Sequence, residues 1–239
     1  MPNIRLDHVA KLYKGGGRNM AAVLDVNLQI QQGEFIFFVG SRGAGKSTLL
    51  QLISGEILPD RGTVCLDRVN LASMNWYQKR RLNHVIGKVP QESGLIRTET
   101  VLRNLSGTNK LETFKHRLLD DPPVQKALGL VGMSGCEQRY PLEFSISECR
   151  RIELAKAILY SPSILILDEI TDRMDDDTTW DIIHLLRELN QRGTTILMAT
   201  RASHFVNIMR KRVITLADGK IVGDVQRGKF GVLSTGQRK

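Results

Sequence analysis

Gly40, Gly45, Lys46 and Ser47 stand in the spacing G-x-x-x-x-G-K-S within GSRGAGKST, residues 40–48. Gly40, Gly43 and Gly45 free this loop, with Ser41 and Ala44 between them, to turn successive N–H groups inward around phosphate oxygens. Lys46 supplies a cation for the outer phosphates, and the Ser47 hydroxyl is a hard oxygen for Mg²⁺, with Thr48 following it. The flanks give this short pattern its weight. Before it, GEFIFFVG is an apolar run that predicts a buried strand. After it, TLLQLISG sets Leu49, Leu50, Leu52 and Ile53 at helical spacing with a glycine to stop them. A helix N-terminus adds partial positive charge to such a loop. The stretch predicts a nucleoside triphosphate site.

A second pair of reactive groups ends the apolar run ILILDE, where Asp168 and Glu169 follow the strand. Ligands of parallel sheets bind beyond the carboxyl ends of the strands, so these acids are expected to meet the loop. Asp168 would then support the Mg²⁺ held by Ser47, and Glu169 would polarise a water for in-line attack on the γ-phosphate.

The elements that must position these groups follow from pattern. Residues 3–31 alternate apolar and polar in NIRLDHV and VLDVNLQI, split by the polar KGGGRN, which predicts an antiparallel sheet. From about 92 to 160 the pattern turns helical, with a rigid DDPPV and a final stripe of Ile152, Ala155, Ile158 and Leu159. SILILDE and TTILMAT are apolar strands separated by the amphipathic TTWDIIHLLRELNQRG. Strands alternating with helices imply an α/β fold with a parallel-sheet core and crossovers.

At 239 residues the chain suits one large α/β domain or two small ones. No apolar run is long enough to cross a bilayer, and MPNIRLDHVAK lacks a signal peptide's apolar stretch, so the expectation is a cytoplasmic chain. Cys65, Cys136 and Cys149 have no metal-like spacing and suit reduced thiols. The net charge of +9 is spread, densest in MRKR and the terminal GQRK, without interleaved aromatics there. That distribution suits a solvated surface or an anionic membrane face better than nucleic acid.

The order of motifs resembles the ATP-binding cassette family, the ATPase subunits of ABC systems, over nearly the whole chain. Within it, LYKGG, LQLISGEILPDRGTV and QRGTTILMAT look most like the FtsE-like cell-division group, with lipoprotein-release and MacB-like exporters close behind. The resemblance implies a P-loop NTPase (RecA-like) core, an N-terminal antiparallel β subdomain and an inserted helical subdomain, all one cassette over 1–239. It implies ATP and Mg²⁺ as cofactors, with Tyr13 stacking on adenine and Gln91 touching Mg²⁺ and the attacking water. DRMD, 172–175, matches the loop that crosses the dimer interface. Implied partners are a second ATPase subunit, identical or not, and an integral membrane protein such as an FtsX-like permease or exporter subunit. The implied location is peripheral, on the cytoplasmic face of the membrane.

Two stretches depart from the family. Its LSGGQ-type signature, which caps the γ-phosphate of the opposite subunit, is FSISE here, Phe144–Glu148. Ser145 keeps the hydroxyl, while Ile146 and Ser147 replace glycines that permit close approach and positive φ. Ser147 suits a helix N-cap, so the helix is expected to survive. In MATRAS, Arg201 stands where the family has a γ-phosphate histidine, and His204 belongs to the next helix. Arginine offers charge and paired donors but no acceptor. Phosphate binding depends on 40–47 and should persist; hydrolysis depends on positioning and is expected to be slow. A non-hydrolysing ATP-dependent scaffold, or a lipoprotein- or macrolide-type exporter ATPase, are the alternatives. A nucleic-acid ATPase would need modules this sequence lacks.

Overall fold

The computed structural model describes residues 3–15, 18–106, 122–172 and 174–230. The tip of KGGGRN (16–17), part of DDPPV, Arg173 of DRMD and the terminal GQRK lie outside the described residues.

Two sheets form the frame. β1 (Ile4–Gly15), β2 (Arg18–Ile30), β4 (Arg61–Leu66) and β5 (Val69–Asn70) make an antiparallel layer in the order β2-β1-β4-β5. β3 (Phe35–Val39), β6 (Ile86–Val89), β7 (Ile164–Asp168), β8 (Thr195–Ala199), β9 (Arg212–Ala217) and β10 (Lys220–Val225) make the second sheet. Its order is β10-β9-β3-β8-β7-β6, parallel throughout except for β10 at the edge.

β3 and β7 are continuous apolar runs because both sheet faces are covered. Period-two alternation still sorts their side chains. Phe35, Phe37, Leu165 and Leu167 pack into the core shared with the inserted helices. Ile36, Phe38, Ile164 and Ile166 face α1 (Lys46–Ser54) and the antiparallel layer. α2 (Trp76–Val85) leads directly into β6. Between β6 and β7 the described elements are helical: α3 (Val101–Ser106), α4 (Pro122–Leu130) and α5 (Ile146–Ile158). α6 (Asp176–Gln191) and α7 (Ser203–Met209) complete the order. His204 lies exposed on α7, edge-on to Trp180 at 6.2 Å between ring centres.

The cap of α5 corrects one expectation. The N-cap is Ser145, whose Oγ accepts from the Glu148 N–H at 3.3 Å while Glu148 Oε2 accepts from the Ser145 N–H at 2.8 Å. This reciprocal box uses Glu148 as its third member, and only Ser145 stands three residues before it. Ser147 is inside the first turn, its Oγ 3.1 Å from that of Ser145. Ile146 is therefore helical and 56% exposed, so its branching strains no positive φ. The basic run MRKR is also less free than its composition suggests. Arg212 pairs with Glu34 at 2.9 Å and Asp224 at 2.6 Å and is nearly buried. All three cysteines are free, and burial pushes the Cys136 thiol up to about 11.

Candidate functional site

β3 ends at Val39, and residues 40–45 turn the chain into α1. Gly40 has φ 152°, and a Cβ there would overlap the Leu216 carbonyl. Gly45, the N-cap of α1, has φ 99°, and a Cβ there would overlap the Ala22 carbonyl. Backbone conformation and space both demand glycine at these two points. No side chain caps α1, which leaves its first amides as donors for an anion.

Lys46 is buried, its side chain 5% exposed. Its Nζ donates to the carbonyls of Gly40 at 2.9 Å and Ser41 at 3.0 Å and lies 3.8 Å from Glu169 Oε1. Burial pushes the ammonium below its ordinary pKa, opposed chiefly by the Glu169 carboxylate.

Asp168 is the last residue of β7 and is buried, with Oδ1 lacking a hydrogen-bond partner. Burial pushes its carboxyl above the usual aspartate value, and the Ser47 hydroxyl pulls the other way. An unpartnered buried carboxylate oxygen beside a serine hydroxyl fits a hard cation. Among the described residues no group of three or more His, Cys, Asp or Glu could hold a metal. Mg²⁺ here would draw its remaining ligands from phosphate and water.

Glu169 follows with φ 51°, a left-handed conformation uncommon outside glycine, fixed by its N–H donating to Ala199 O at 3.0 Å. Its carboxylate gathers two donors and one further cation. Oε2 accepts from Arg201 Nη2 at 2.6 Å and from Gln91 Nε2 at 3.3 Å, and Oε1 faces Lys46. Arg201 also lies 3.7 Å from Asp172 and keeps its side chain 44% exposed.

Tyr13, Lys46, Ser47, Gln91, Glu169 and Arg201 share one cleft of about 530 Å³, with Gly43, Ala44, Gly45 and Thr48 in its wall. Gly40 and Ser41 reach it through the carbonyls that hold Lys46, and Asp168 lines the adjoining hollow with Ser47. Ser145 lines neither cleft of its own chain.

Sequence reading missed a brace behind Gln91. Arg150 Nη1 on α5 donates to the Pro90 carbonyl and to Glu153 Oε2, both at 2.7 Å, and Nη2 donates to the Gln91 carbonyl. Glu153, 3% exposed, accepts from the Gly94 N–H at 2.8 Å. The helix that begins at Ser145 is thereby tied to the loop that carries Gln91. A charged pair inside a helix ordinarily reads as a solvated face, so no sequence signal marked it.

The family model described as ABC transporter matches residues 23–172. The cell division ATP-binding protein FtsE of Mycobacterium tuberculosis is 38% identical over 230 residues, 96% of this chain and 98% of that one. FtsE of Streptococcus pneumoniae is 35% identical over 237 residues, 97% and 99% of the two chains. A solved dimeric ATP-binding cassette, in a post-hydrolysis state bound to ADP and Pi, superposes with a TM-score of 0.82 at 27% identity, covering 95% of this chain and all of that one. With the phosphate loop, the paired acids and the sheet order in place, this chain belongs to the ABC transporter family, as an ATP-binding subunit that hydrolyses ATP.

Proposed function

We propose that this subunit binds Mg·ATP between two cassettes and hydrolyses it slowly to regulate an FtsX-like membrane partner in cell division. The observation that carries the reading is the convergence of Lys46, Gln91 and Arg201 on Glu169 beside the phosphate loop. The partner and the process rest on the FtsE relatives, which match nearly end to end.

ATP phosphates would take the place of the Gly40 and Ser41 carbonyls as acceptors for Lys46, in a loop whose glycines allow close approach. Ser47 and Asp168, with Gln91 at hand, would hold Mg²⁺, which offsets charge on the outer phosphates. Glu169 would accept the proton of the attacking water, and Gln91 would orient that water. In the state described, Arg201 occupies Glu169 Oε2, so base and arginine must part before that oxygen can take a proton.

This exchange accounts for slow turnover and makes a prediction. A half-exposed ion pair is worth at most about 1 kcal/mol, or about fivefold in rate. Arg201→His is therefore expected to raise kcat about fivefold in steady-state phosphate release. A fall in kcat would mean that Arg201 serves the γ-phosphate directly.

The proposal is tested by measuring Mg·ATP turnover of the chain alone and reconstituted with its FtsX-like partner. Slow turnover that the partner stimulates, and that Lys46→Ala removes together with at least tenfold of ATP affinity, is the expected result. Stimulation by an exporter subunit in place of the FtsX-like protein would reassign the process, and turnover untouched by Lys46→Ala would place hydrolysis elsewhere.

A further inference from the structure

α2 presents a surface that the nucleotide site does not use. Its sequence, WYQKRRLNHV, buries only Leu82. Trp76 and Tyr77 are 62% and 73% exposed and meet edge to face at 4.8 Å. Exposed aromatic pairs of this size are unusual on a soluble face without a binding role. One turn on, the Arg80 guanidinium sits 5.5 Å from the centre of the Trp76 ring. Trp76, Arg80 and His84 recur every four residues and so share a stripe, which His84 extends to Tyr160 at 5.3 Å. Lys79 and Arg81 flank it.

The charge of the segment that carries this helix has one sign. No acidic residue occurs from Val69 to Gln91, which includes Lys79, Arg80, Arg81 and Lys88. Among the described residues Lys79, Arg80 and Arg81 form no ion pair with a carboxylate, whereas Lys88 is neutralised by Glu56 at 2.8 Å. The helix is also held ready. Asn75 and Gln78 close a reciprocal cap at its start, each side chain accepting from the other's N–H at 3.0 and 2.9 Å.

We propose that α2 docks on anionic lipid headgroups, with Trp76 and Tyr77 at the water–lipid boundary and Lys79, Arg80 and Arg81 over the phosphates. Tryptophan and tyrosine favour that boundary because one end of each ring system is apolar and the other polar. Clustered Lys and Arg add attraction to an anionic leaflet. A nucleic acid would also satisfy the cations, but successive bases stack on a run of open aromatic faces, and this helix carries a single edge-to-face pair with Arg80 already over Trp76. The inference rests on the membrane-side reading of the subunit and adds a contact with the lipid itself.

The test uses the full chain, without nucleotide or partner, and vesicles of phosphatidylcholine with or without phosphatidylglycerol. Trp180→Phe leaves Trp76 as the sole tryptophan, because the chain has two. The expected result is co-flotation and a blue-shifted Trp76 emission only with phosphatidylglycerol, weakening as salt rises. Arg80→Glu with Arg81→Glu should lower binding at least tenfold, at about fivefold for each cation lost. Trp76→Ala with Tyr77→Ala should weaken binding with an unchanged circular dichroism spectrum, since both side chains are exposed. Equal binding to neutral vesicles, or charge reversal without effect, overturns the proposal. So does binding of a single-stranded oligonucleotide without vesicle binding, which would assign the surface to nucleic acid. These outcomes involve neither ATP turnover nor the protein partner, so they fail separately from the reading above.

Discussion

Glu169→Gln lowers kcat for Mg·ATP hydrolysis at least a hundredfold, the lower range for removing a positioned general base, while ATP affinity changes only a few-fold. The substitution is nearly isosteric, and its amide oxygen can still accept from Arg201 and Gln91, which hold Glu169 at 2.6 and 3.3 Å. Lys46 loses a carboxylate 3.8 Å away and keeps the Gly40 and Ser41 carbonyls until phosphate arrives. What disappears is the capacity to take a proton from water. Phosphate release and nucleotide titration on the same preparation separate the two effects. More than a tenth of the turnover surviving would move the base to another residue.

Arg150→Met costs about 3 kcal/mol of folding stability, the lower end for breaking a buried pair and leaving one charge unmatched. Arg150 and Glu153 are 12% and 4% exposed, so water does little to relieve the loss. Glu153 would keep the Gly94 N–H and the neighbouring Lys156 charge but lose its close partner, and the Pro90 and Gln91 carbonyls would lose their donor. For a chain of this size the melting temperature should fall by on the order of 10 °C. Arg150→Met with Glu153→Gln should recover part of the stability by removing the stranded charge. It should not recover kcat, because Gln91 stays untethered. Thermal unfolding of the single and double variants checks the first claim, and turnover checks the second. A loss below about 1 kcal/mol would class the pair with ordinary surface bridges.

Both predictions involve contacts between residues far apart in sequence, Glu169 with Gln91 and Arg201 in one and Arg150 with Pro90 and Gln91 in the other, and this divides what was legible from what was not. The phosphate loop was legible because its demand is local. Gly40 and Gly45 adopt φ of 152° and 99° within six residues of Lys46, and the strand before and helix after advertise themselves by periodicity. The apolar runs of β3 and β7 announced buried strands, and the chain polarity put Asp168 and Glu169 at the end that meets the loop. What each strand residue faces was hidden, since a strand buried on both sides shows no alternation of polarity.

The cap of α5 lies two residues before the one that sequence favours. Ser145 and Ser147 are equally good caps by type, and only the reciprocal bonds to Glu148 choose between them. MRKR reads as a basic surface in sequence, yet the fold pairs its Arg212 with Glu34, just before β3, and with Asp224 on β10. Arg201 was visible as a departure, yet nothing in one dimension said that it would close on Glu169, 32 residues away.

The sequence by itself determined the loop, the paired acids, the α/β alternation and the family, because each depends on residue type at short spacing. Tertiary structure decided which charges neutralise one another, that Arg150 steadies Gln91, and that, among the described residues, the cations of α2 pair with no carboxylate beside two exposed aromatics. Coulombic and hydrogen-bonding energies depend on distance through space, and only the packed sheets and helices set those distances.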